Sequence, residues 1–104
     1  MPTKDLRLEL KPFGSILDCR VFLEVNDEIG LWAYNAQGKF YYKNLPSYPI
    51  IGNTLEVKMV AKGKNGASTK LIIKIEGQDN SELNCIIQNG SDVEEKSITI
   101  SNIN

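Results

Sequence analysis

The sequence predicts an all-β domain, a sandwich or barrel of antiparallel strands. Three observations carry this. Apolar residues recur at every second position in short runs, the pattern of strands with one face buried and one solvated. Turn residues separate the runs at intervals of roughly 8–12 residues, the spacing of sandwiches and barrels. No stretch sustains the apolar spacing of an amphipathic helix. With 104 residues, one domain spanning 1–104 is expected, large enough for a single ordinary core.

In chain order, Leu6, Leu8 and Leu10 alternate with Arg7 and Glu9 until Pro12 and Gly14 break the run. Ile16 to Val25 is the second strand, with Leu17, Cys19, Val21 and Leu23 on one face and Asp18, Arg20 and Glu24 on the other. Asn26, Asp27 and Glu28 make a polar turn. Gly30 to Tyr34 is a short strand, and Asn35-Ala36-Gln37-Gly38 is a hairpin signal returning through Lys39 to Lys43. Pro46 and Pro49 bracket an irregular piece. Leu55, Val57 and Met59 form the next alternating strand, and Lys62 to Gly66 is a turn. Leu71, Ile73 and Ile75 follow, then a turn at Gly77 to Ser81. Leu83, Cys85 and Ile87 make a strand ending at an Asn89-Gly90 hairpin turn, and Ile98 and Ile100 lie in the last strand. That makes about eight strands, with no repeat, linker or low-complexity segment.

Composition narrows the function. The chain has no histidine, so it lacks the commonest general acid/base, the Ser-His and Cys-His nucleophile pairs and the commonest zinc ligand. Two cysteines alone cannot build a zinc site, and no pair of carboxylates stands at a spacing that suggests acid/base work. No enzyme activity, catalytic residue, metal or cofactor is expected. Twelve Lys and Arg against thirteen Asp and Glu leave a formal charge of −1 with no basic cluster, which argues against nucleic acid or an anionic membrane as partner. No apolar run approaches a membrane span, and no signal-peptide core is visible near the start.

Cys19, Trp32 and Cys85 stand in order, each in an apolar strand. This order resembles that of an immunoglobulin domain, where strands B and F are bridged and a strand C tryptophan packs on the bridge. Ser68-Thr69-Lys70-Leu71-Ile72-Ile73 resembles the family's E strand, and Asp79-Asn80-Ser81-Glu82-Leu83-Asn84-Cys85 its Asp-x-Gly/Ser-x-Tyr-x-Cys corner. Ile86 to Ser91 resembles the F strand entering its turn. The resemblance runs from about Leu6 to Ile100, and the extra hairpin at Lys39–Lys43 points to the variable or intermediate set. One departure is plain: the corner Tyr is Leu83 here, so its hydroxyl bond is lost and Leu83 fills the space as a core residue.

The resemblance implies an immunoglobulin-like sandwich of two antiparallel sheets with Greek-key connections. It further implies a Cys19–Cys85 disulfide and Trp32 in the core against it. Two buried free thiols are the competing reading of the cysteines; a sugar-stacking platform competes for Trp32. A disulfide would place the chain in an oxidising compartment, outside the cell or on its surface. Asn89-Gly90-Ser91 is an N-glycosylation sequon that also serves as a turn. Parity from Cys85 and Trp32 sends Ile86, Gln88 and Leu31 outward, and Tyr42 and Tyr48 join or border the same G-F-C-C′ face. The expected function is non-enzymatic protein recognition through that face, with a second copy of the chain or another receptor or ligand as partner, as one domain of a cell-surface adhesion molecule or receptor. A cytoplasmic structural domain of a muscle-type filament and a carbohydrate-binding sandwich are the alternatives.

Overall fold

The alternation in the sequence becomes alternation of burial in the computed structural model, which describes residues 3–24, 26–27, 32–88 and 93–103. In β6 (Leu55–Gly63), Leu55, Val57, Met59 and Ala61 are buried while Glu56 and Lys62 are exposed. In β7 (Ser68–Ile75), Thr69, Leu71, Ile73 and Ile75 point inward. The other strands are β1 (Thr3–Phe13), β2 (Ile16–Leu23), β3 (Asn26–Asp27), β4 (Ala33–Asn35), β5 (Phe40–Pro49), β8 (Ser81–Ile86) and β9 (Val93–Ile100). No helix occurs among the described residues.

The strands form two antiparallel sheets packed face to face, one ordered β4-β5-β1-β7-β8 and the other β3-β2-β6-β9. The chain is thus an all-β sandwich. Its core lies between the sheets, where Leu8, Leu23, Leu55, Met59, Leu71 and Ile73 are fully enclosed. Each such side chain contributes roughly 1.5–3 kcal/mol of burial. Gly14 turns β1 into β2 at φ 80°, and a Cβ there would lie 3.2 Å from the Cα of Ala67, so both backbone angle and space call for glycine.

The structure departs from the sequence expectations in four places. First, β5 does not stop before Pro46 but runs on to Pro49, paired with β1. The register shifts between Lys4 and Leu6, Ser47 adopts φ 53°, and its N–H donates to Asp5 Oδ1 at 2.9 Å. A bulge of this kind is where a strand tolerates proline's missing N–H. Second, Asn26 and Asp27 are not part of an open turn; they pair back on Leu23 and Phe22. Third, β7 and β8 form a hairpin in one sheet. In the immunoglobulin arrangement the corresponding E and F strands lie in opposite sheets.

Fourth, Cys19 and Cys85 are free thiols, and the disulfide is absent. The two residues stand in opposite sheets and are not bonded to each other. Cys85 Sγ sits 4.0 Å from the carbonyl oxygen of Met59 and 3.9 Å from that of Glu94, between β6 and β9. Cys19 lies on β2, on the opposite flank of β6, beside Ala61. A disulfide needs sulfurs about 2 Å apart. Leu31, Asn89 and the Asn89-Gly90 turn lie outside the described residues.

Candidate functional site

Two places on the sandwich gather functional side chains: the outer face of the five-stranded sheet, and a cleft at one side between the sheets.

The outer face follows from the parity of β1. Because Leu6, Leu8 and Leu10 point into the core, Arg7, Glu9, Lys11 and Phe13 point out. The ladder sets Tyr42 opposite Glu9 on one side and Ile72 on the other. Arg7 stacks its guanidinium 4.5 Å over the Tyr42 ring, and its Nε donates to Glu9 Oε2 at 2.8 Å. Its Nη1 donates to Asn44 Oδ1 at 3.2 Å, and Lys74 Nζ stands 3.3 Å from the same Glu9 oxygen. Lys11 lies 5.4 Å over the Phe40 ring, which is 6.2 Å from that of Tyr42. Glu9 is only 7% exposed, though it faces outward, because these side chains cover it. Burial pushes its carboxyl pKa up, but hydrogen bonds and charge from Arg7 and Lys74 outweigh that and hold it below the ordinary value.

At one end of this face, Phe13 pairs with Ser68 and Ser68 with Ile86, so two exposed apolar side chains share a row. Phe13 is 74% exposed and Ile86 56%. The sequence-predicted residues are placed as follows. Tyr42 and Ile86 are on the same face but separated by β1 and β7, about 14 Å across the strands, and Ile86 lies four residues, about 13 Å, further along β8 than the Tyr42 row. Gln88 is exposed just beyond β8. Tyr48 is half-buried and packs against the core instead of bordering the outer face. Leu83 is buried. Leu31 and Asn89 are outside the described residues.

Trp32 is half-buried; it packs against the core from the side and also walls the cleft. The cleft has a volume of about 300 Å³, the lower end of the range of ligand pockets. Leu10 and Pro12 from β1, Ile16, Asp18 and Cys19 from β2, and Tyr41 from β5 complete it. The Tyr41 ring is 4.7 Å from that of Tyr34, tilted by 52°. Asp18 Oδ2 is 3.4 Å from Arg20 Nε. Burial pushes the Cys19 thiol up to about 12, with the Cys85 thiol and the Asp18 carboxylate adding to the rise and the Thr69 hydroxyl opposing it. Thr69 Oγ1 is itself buried with no hydrogen bond of ordinary geometry. The raised value makes Cys19 slow to react as a nucleophile, and the cleft sets the Asp18 carboxylate beside aromatic and apolar surface.

Sequence reasoning missed Phe13, the Arg7–Glu9 pair and the cleft residues Asp18 and Tyr41. The outward parity of Arg7 and Glu9 was readable, but which strand lies beside β1 was not. Among the described residues, no three His, Cys, Asp or Glu side chains gather as metal ligands do. No protein-family model, curated protein or solved structure matches the chain.

Proposed function

We propose that the chain is a non-enzymatic recognition module that takes an acidic protein partner on the outer face of its five-stranded sheet. The observation that supports this reading is the cluster of Arg7 and Glu9 over Tyr42. Arginine and tyrosine are the residues that anchor protein interfaces, and here they are held in place before any partner arrives. Over the rows from Arg7 to Phe13, the face carries Arg7, Lys11, Lys70 and Lys74 against Glu9 and Glu82, a local excess of two positive charges on a chain of net charge −1. Complementarity then selects an acidic surface. Phe13 and Ile86 supply the apolar flank that a partner would cover.

One setting for such a module is a domain of an adhesion molecule or receptor, as the resemblance implies. The two unbridged thiols favour the second setting, a structural domain in a reducing compartment. The face would serve in either.

A glutamate-rich peptide at low salt tests the face. Binding should fall at least tenfold in Lys11→Glu and in Lys70→Glu, whose Cα positions are paired across β1 and β7, and stay unchanged in Lys62→Glu on the other sheet. Equal binding by all three variants, or no binding by the wild type, refutes the acidic-partner reading.

A further inference from the structure

We infer that the cleft beside Trp32 is a second binding site, one for the neutral, hydroxyl-rich ring of a carbohydrate. The inference does not rest on the outer face. Its walls are the flat rings of Trp32 and Tyr41, and Tyr34, half exposed and 4.7 Å from Tyr41, extends the aromatic surface outward. Leu10, Pro12 and Ile16 add apolar lining, and Asp18 and Cys19 complete it. A sugar ring has the matching shape: a face of C–H groups to lie on aromatic carbon, and an edge of hydroxyls. Such stacking gains contact over a large area from groups that lose few rotors on binding.

The polar side of the cleft decides between ligands of different charge. Among the described residues, Asp18 is the one charged residue lining it, and a carboxylate accepts hydrogen bonds from hydroxyls. An organic cation would also suit aromatic walls and a carboxylate. Here, however, Asp18 is engaged by Arg20 at 3.4 Å and has Lys62 as its cross-strand neighbour. A cation entering the cleft would meet those positive charges, whereas a hydroxyl would meet a carboxylate already held in position. The volume of about 300 Å³ suits one or two rings of a chain whose remainder runs over Tyr34.

Trp32 is the only tryptophan in the chain, so its emission reports on the cleft directly. The experiment titrates the protein with cellopentaose, mannopentaose, xylopentaose and chitopentaose, and separately with tetramethylammonium chloride. At least one oligosaccharide should shift the emission to shorter wavelength with saturation below about 10 mM, within the weak end of specific binding. Tyr41→Ala and Asp18→Asn should each weaken that binding about tenfold or more, with Ser97→Ala on β9, exposed and outside both sites, as the unchanged control. If either cleft variant fails to fold, the wild type still decides: the bound sugar should slow alkylation of Cys19. The inference is overturned if no oligosaccharide gives a saturable shift, if tetramethylammonium alone does, or if a sugar that shifts the emission leaves Cys19 alkylation and the variants' affinity unchanged.

Discussion

The two long sides of the sandwich are closed in different ways. On one side β8 packs against β9, and Cys85 is fully enclosed with its sulfur among the backbone carbonyls of β6 and β9. On the other, β2 and β5 stand apart, and the gap between them is the cleft lined by Cys19, Trp32 and Tyr41. Cys19 and Cys85 have the same chemistry and the same parity in their strands, yet one is sealed and the other half-buried at an opening. Parity decides which sheet face a residue joins. How deeply it is buried depends on which strand stands across from it.

The largest expected effect lies on the sealed side. Leu83→Ala should cost about 2–4 kcal/mol in denaturant melts, from lost burial plus the cavity left behind. Tyr41→Ala, on the open side and partly exposed already, should cost less than about 1.5 kcal/mol. Equal losses would erase the difference between the two sides.

Next in size is the covered carboxylate on the outer face. Glu9→Gln should cost about 1–2 kcal/mol at neutral pH, because it removes the charged partner of Arg7 and Lys74. The folded pKa of Glu9 lies below its ordinary value of 4.5, so its contribution is present above that value and is lost as pH falls through the folded pKa. Melts at a series of pH values should therefore show wild type and Glu9→Gln converging below pH 4.5. A constant gap down to acid pH would mean that the carboxylate's charge contributes nothing.

The smallest stability effects belong to the exposed apolar row. Phe13→Glu and Ile86→Lys should each change stability by less than about 0.5 kcal/mol, as surface substitutions do. A larger loss in either would show that the row is covered within the free protein.

Strands whose burial depends only on their own alternation were legible in the sequence. Leu55, Val57 and Met59, and Leu71, Ile73 and Ile75, point inward as the pattern requires. The hairpin at Asn35–Gly38 was legible too, because Asn35 Oδ1 accepts from the Gly38 N–H at 2.8 Å, a local contact. The continuation of β5 through Pro46 was not, because the bulge depends on Asp5, far away in the chain. The outer-face patch was read as one surface joining Tyr42 and Ile86, but β1 and β7 lie between them, and strand order leaves no local mark in sequence. The same holds for the cleft: Leu10, Cys19 and Tyr41 were each readable as strand residues, but only the order of the sheets brings them around Trp32. The disulfide is what the resemblance to an immunoglobulin domain implies, and neither that order of residues nor their strand parity says where Cys85 aims its sulfur.

Native-state alkylation, with each modified cysteine identified by peptide mass, tests the contrast between the two sides most directly. At a pH near 9 and over long exposure, because a thiol pushed up to about 12 reacts only through a small thiolate fraction, Cys19 should be labelled slowly but measurably in the folded protein through the cleft. Cys85 should be labelled only under denaturant concentrations that unfold the whole domain, and unreduced, unfolded protein should take up two labels. Equal labelling of both thiols in the folded state, or an unreduced protein with no thiol to label, would contradict the account.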